Sequence, residues 1–134
     1  MANQIFVNLP VKDLPRSIAF WRALGYDINP QFTDDTAACL VISETIYVML
    51  LTEEKFLGFT PRAIADTTKV SEVLVALSYD SRAKVDELVE TALINGGSAI
   101  NEPTDYGFMY ARAFADPDGH IFEPFWMNPD HVHG

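Results

Sequence analysis

Cysteine is all but missing from this chain of 134 residues: Cys39 stands alone. No internal disulfide can staple the fold, so stability must come from a buried core, which a chain of this length can build. Cys39 lies in the apolar run 37–42 and reads as a buried, inert thiol. Basic residues are scarce as well, 9 Lys and Arg against 19 Asp and Glu, for a net charge of -10. A surface of that sign repels phosphate backbones and excludes nucleic acid as a partner, while a cationic or neutral small ligand remains compatible. The same acidity keeps a protein soluble. No apolar run approaches the ~20 residues of a membrane span, and the first residues lack the basic, apolar, small-residue order of a signal peptide, so a cytoplasmic protein without membrane contact is expected. Histidine is sparse too. His131 and His133 fall in a polar tail after Pro129, too closely spaced to form a site, and His120 sits at a turn, where a surface role is expected.

What is present is a repeat. An apolar strand running through Val11-Lys12-Asp13 into an amphipathic helix that stops at Gly25 recurs as strand 72–79, Asp80-Ser81, and a helix closed by Asn95-Gly96-Gly97. Only two copies are present, which predicts a pseudo-symmetric domain rather than a solenoid. Strand 5–9 ends at Pro10. Asp13 caps a helix over 14–24 with Pro15 in its first turn, and Leu14, Ile18 and Trp21 fall at helical spacing. Three strands follow, 26–32, 37–42 and 46–51. A connection over 53–69 carries about one helical turn. In the second copy, Ser81 caps a helix over 82–94, in which Val85, Leu88, Val89, Ala92 and Leu93 hold the i, i+3, i+4, i+7, i+8 pattern. Strands 98–101, 108–115 and 121–127 complete it, with a loop over 102–107. The prediction is one α+β domain over 1–134, made of two βαβββ modules, 1–52 and 70–128, and a tail from 129.

Asp116-Pro117-Asp118-Gly119 is a turn tetrad: Asp accepts local backbone hydrogen bonds, Pro presets φ, and Gly tolerates positive φ. If Ala115 pairs with His120 across that turn, Arg112 falls opposite Glu123, on one face with Tyr110, Phe114, Ile121 and Phe125. An ion pair between Arg112 and Glu123 is then expected. Phe6, Ile46, Val48, Leu50, Trp126 and Met127 offer more apolar strand surface than two helices cover, which favours a homodimer.

The pattern Val11-x-Asp13-Leu14-x-x-Ser17-Ile18-x-Phe20-Trp21-x-x-Leu24-Gly25, followed by Asp116-Pro117-Asp118-Gly119-His120-x-x-Glu123, resembles the vicinal oxygen chelate superfamily. That group holds lactoylglutathione lyase, the extradiol dioxygenases, and the bleomycin and fosfomycin resistance proteins. The resemblance covers essentially the whole chain. It implies the glyoxalase, bleomycin resistance and dihydroxybiphenyl dioxygenase-like fold, in which curved sheets of two βαβββ modules form a cup, usually in a homodimer. Metal-using members bind a divalent ion through the first and last strand of each module. Glu123 matches the last of those positions. The first-strand positions fall on Phe6 and Leu74, which have no lone pair for a hard cation, and strand 46–51 contains no carboxylate. The expectation is therefore a small, partly apolar ligand bound without metal or other cofactor, with Phe6, Tyr110, Phe114 and Phe125 for stacking and Arg112 and Glu123 for orientation. The alternative is a lyase or dioxygenase with a divergent metal site, or with Glu123 as a general base.

Overall fold

The computed structural model describes residues 3–130, so His131 and His133 lie outside the described residues. The chain divides between Asp66 and Thr67 into two compact units, a boundary inside the connection 53–69. In the first unit, the order is β1 (Ile5–Val11), α1 (Leu14–Ala23), β2 (Asp27–Asn29), β3 (Ala37–Val41), β4 (Ile46–Thr52) and the short α2 (Glu53–Leu57). The sheet runs β1-β4-β3-β2, with β1 parallel to β4 and the other pairs antiparallel.

Local chemistry sets these limits. The Asp13 side chain accepts a hydrogen bond from the Arg16 backbone N–H at 3.1 Å and starts α1, and Gly25 at φ 97° ends it in a conformation other residues adopt only with strain. β1 does not stop before Pro10 as expected but pairs on through Val11. It is an edge strand bonded on one side only, so the missing proline N–H leaves no ladder bond unmade. β2 is shorter than its apolar pattern implied, because Pro30 opens a 3₁₀ turn over Pro30–Phe32, capped by Asn29. Leu9, Ala38, Leu40, Val48 and Leu50 are buried on the face that meets Leu14, Phe20 and Trp21 of α1. Val48 and Leu50 are thus core residues, not surplus apolar surface for a partner. Cys39 is fully buried, and burial pushes its thiol pKa up.

The second unit repeats that plan in broken pieces: β5 (Leu74–Ser78), α3 (Arg82–Ile94), β6 (Ser98–Ala99), β7 (Thr104–Asp105), β8 (Met109–Ala111), β9 (Phe114–Ala115) and β10 (Ile121–Met127). β10 is central, parallel to β5 on one side and antiparallel to β8 and β9 on the other, with β7 and β6 outside them. First strand, last strand, third and second is the order in both units. The expected strand 108–115 is split at Arg112 and Ala113, although the Arg112 N–H still bonds the Pro124 carbonyl at 3.1 Å. The expected loop 102–107 contains a strand, β7. Ser81 caps α3 through the Lys84 N–H, and Val85, Leu88, Val89 and Ala92 are buried on its inner face. Among the described residues no helix is long and apolar enough to cross a membrane.

Candidate ligand-binding faces

The geometry of the second unit is decided at the turn between β9 and β10. Asp116 Oδ1 accepts from the backbone N–H groups of Asp118 at 3.0 Å and His120 at 2.9 Å. The Asp116 N–H bonds the His120 carbonyl at 2.9 Å, and Gly119 turns at φ 91°. Pro117, Asp118 and Gly119 therefore form a three-residue hairpin loop with glycine in the left-handed position. Pairing resumes as Ala115 with Ile121 and Phe114 with Phe122, one residue away from the expected Ala115–His120 register. A slip of one residue moves every side chain to the other face of the sheet.

The expected single face carrying Arg112, Glu123, Tyr110, Phe114 and Phe125 is corrected accordingly. Arg112 donates to Asp86 at 3.0 Å and Glu90 at 2.9 Å, both on α3. Its ion pair with Glu123 does not form. Tyr110 donates its hydroxyl to Asp86 at 2.6 Å. Phe114 is fully buried and stacked on Phe122, with ring centroids 5.7 Å apart. These three residues serve the seam between sheet and helix. Arg82 completes that seam: it grips Asp105 through two bonds of 2.8 and 2.7 Å, and its guanidinium lies 5.0 Å from the Tyr110 ring and 5.3 Å from that of Trp126. The Tyr110 hydroxyl, then Arg112, hold the Asp86 pKa below its ordinary value. The Arg82 bonds hold Asp105 at about 2. The seam was missed in the sequence, though Arg82, Asp86 and Glu90 at i, i+4 and i+8 mark a polar stripe along one side of α3.

His120 is also corrected: it is buried, as are Asp116 and Asp118. Asp116 Oδ2 is buried without a hydrogen-bond partner. Burial raises the Asp116 pKa to about 6, with His120 pulling the other way.

The opposite faces of the two sheets are open in part: Ala37, Cys39 and Leu51 are buried on the first and Ala113 and Ala115 on the second, while the residues beside them are accessible. In the second unit, Ile121, Glu123 and Phe125 share the open face by strand alternation, beside exposed Leu74, Ala76 and Ser78 of β5. Among the described residues the Glu123 side chain has no hydrogen-bond or ion-pair partner. In the first unit, Phe6 stacks on Tyr47 at 4.7 Å and 10°, with Phe6 46 % exposed. Asn8 and Met49 continue that face.

A family model described as bleomycin resistance protein-like N-terminal matches residues 4–43. A structure of a hypothetical protein from S. aureus is similar at 30 % identity, covering 94 % of this chain and 95 % of its own, with a TM-score of 0.79. The matched N-terminal segment and the fold support the vicinal oxygen chelate superfamily. Two more distant structures share the superfamily fold. A glyoxalase/bleomycin resistance protein/dioxygenase family enzyme from Burkholderia phytofirmans is 18 % identical, covers 94 % of this chain and 99 % of its own, and has a TM-score of 0.76. The fosfomycin resistance protein FosX from Mesorhizobium loti is 16 % identical, covers 94 % and 92 %, and has a TM-score of 0.68. No curated protein matches the sequence.

Metal-donor chemistry is sparse on these faces. The first-strand positions carry Phe6 and Leu74, and the facing residues of β4 are Tyr47 and Met49. Only Glu123 offers a carboxylate. Among the described residues no three His, Cys, Asp or Glu side chains come together as a metal site. The residues do not fit a divalent ion, which draws on several oxygen or nitrogen ligands.

Proposed function

We propose that this protein binds a small, partly apolar ligand on an open sheet face without a divalent metal, as a binding protein of the bleomycin-resistance kind. The stacked and half-exposed Phe6–Tyr47 pair supplies apolar surface on the first module, and Phe125 with Glu123 supplies stacking and orientation on the second. The observation that carries this reading is the loss of ligand chemistry at the family's metal positions while an aromatic surface is kept there. Apolar lining with a few polar groups is the ordinary make-up of a small-molecule site. Tyr110, Arg112 and Phe114 take no part, being committed to the helix seam. The protein acts as a symmetric homodimer, the commonest closed assembly, through exposed apolar residues such as Ile5 and Met127.

Ligand-observed NMR against a library of small aromatic and aliphatic fragments tests the reading. Binders should be found whose signals weaken in Phe6→Ala or Phe125→Ala, while Mn²⁺, Fe²⁺, Ni²⁺ and Zn²⁺ leave the melting temperature unchanged. A saturable metal-dependent rise that disappears in Glu123→Gln would return the protein to the lyase and dioxygenase members.

A further inference from the structure

Glu123 is the one charged side chain among the strand residues paired or alternating with it on the open face of β10 and β5, residues 121–127 and 74–78. Its strand neighbours on that face are Ile121 and Phe125, and its partner across the parallel pair is Ala76, flanked by Leu74 and Ser78. Beyond Phe125 on the antiparallel side lies Ala111. None of these can neutralise a carboxylate. The nearest candidate in the sequence, Arg112, is held on the other face by Asp86 and Glu90. A carboxylate at a partly exposed position among apolar neighbours, with no protein cation beside it, is free to accept hydrogen bonds from a cationic group out of solution. In metal-using relatives an ion takes that place. Here the surrounding donors do not fit one.

We infer that Glu123 is the counter-ion for an organic cation: the ligand of this site is a protonated amine with an apolar body, its ammonium group on Glu123 and its body against Phe125 and Leu74. This rests on the ligand-binding reading above and names the class of ligand. Two further observations support it. Phe125 lies two residues from Glu123 on the same face, so a cation seated on the carboxylate can also reach an aromatic ring, an attraction that neither a neutral nor an anionic ligand would gain. Along the strand, Ile121 borders a cavity of about 380 Å³ of mixed lining, in which Val70, Ile100 and Ala115 stand among Thr67, Thr68, Ser71 and Ser98, with room for a small ligand that carries polar groups as well as an apolar body. The charged residues of that lining are one lysine, Lys69, and one carboxylate, Asp116. Their charges cancel, which leaves Glu123 to set the preference. The net charge of -10 favours the approach of a cation as well.

Three probes of one shape separate this inference from the reading it rests on: phenethylamine, phenethyl alcohol and phenylacetate, titrated at neutral pH and followed by chemical-shift changes of Glu123, Phe125 and Ile121. The amine should bind at least about tenfold more tightly than the alcohol, and phenylacetate should bind more weakly still. In Glu123→Gln the amine should fall to the level of the alcohol, while the alcohol keeps its affinity. Equal affinity for amine and alcohol in the unaltered protein overturns the cation assignment and leaves the ligand-binding reading standing. So does an amine affinity unchanged by Glu123→Gln. If none of the three shifts these resonances, and the fragment library also yields no binder, both fall together.

Discussion

The two long helices, α1 and α3, lie on sheets of the same strand order, yet they are held by different chemistry. α1 meets its sheet through large apolar side chains, Leu14, Phe20 and Trp21, with Phe20 and Trp21 almost wholly enclosed. α3 offers smaller ones, Val85, Leu88, Val89 and Ala92, and adds a polar seam in which Arg112, Tyr110 and Arg82 join helix to strands. Strand order follows from the alternation of apolar residues and from the caps, which the two modules share. The bonding across each seam is free to differ. That freedom has a functional side: a seam that consumes Arg112 leaves the carboxylate on the other face uncompensated.

The sharpest way to break the comparison is to empty the apolar seam. Trp21→Ala should cost about 3–5 kcal/mol in urea unfolding, more than any single change in the polar seam; a smaller loss than that of Arg112→Ala would reverse the ranking.

The next effect comes from the buried turn. Asp116 has a folded-state pKa raised to about 6 from 3.8, so its contribution to stability is complete below the unfolded value and is lost as pH rises through about 6. Asp116→Asn keeps an acceptor for both turn N–H groups and does not titrate. It should gain on the parent protein between these two pH values and then hold a constant advantage, on the order of 3 kcal/mol. Parallel stability curves for the two proteins across that range would contradict the raised pKa. Asp105 works in the opposite sense: held at about 2, its contribution is present above the unfolded pKa of 3.8 and is lost as pH falls from there through about 2.

Within the polar seam, Arg112→Ala should cost about 1–2 kcal/mol, limited by the exposure of its carboxylate partners. A double-mutant cycle of Arg112 with Asp86 should show coupling, whereas one with Glu123 should be additive. Coupling to Glu123 would place Arg112 on the open face after all. The smallest change is Arg82→Lys, at an exposed pair, expected to cost less than Arg112→Ala through loss of the two-point grip on Asp105 and the stacking on Trp126.

The architecture was legible because its signals are local. Asp13 and Ser81 caps, Gly25, and the spacing of Val85, Leu88, Val89 and Ala92 each act within one element, and the observed α3 and β10 begin and end where these signals put them. The faces of the second sheet were not legible in the same way. They depend on whether the turn after Ala115 closes with four residues or five. Asp116-Pro117-Asp118-Gly119 supports either until the bond between Asp116 and His120 is seen. One residue of register then reassigned Arg112, Tyr110 and Phe114 together, while Glu123 and Phe125 kept each other's company because both lie on β10. Edge effects were equally hidden, since Pro10 reads as a strand end unless the strand is known to have a neighbour on one side only.

The position of β10 in its sheet has a consequence for how the second unit assembles. It is last in chain order, yet it is the strand against which β5, β8 and β9 all pair. The turn leading into it also reaches back 51 residues, where the Thr67 hydroxyl bonds the Asp118 carbonyl at 2.5 Å. The second sheet therefore cannot grow strand by strand from its beginning. Helix α3 and the hairpin of β7 and β8 can form early, but β5 waits unpaired through the whole of them until β10 arrives to close the long loop between. Such non-local closure carries an entropic cost before any pairing offsets it, and it slows folding. A chain cut before Ile121 would lose the axis of the sheet rather than an edge of it.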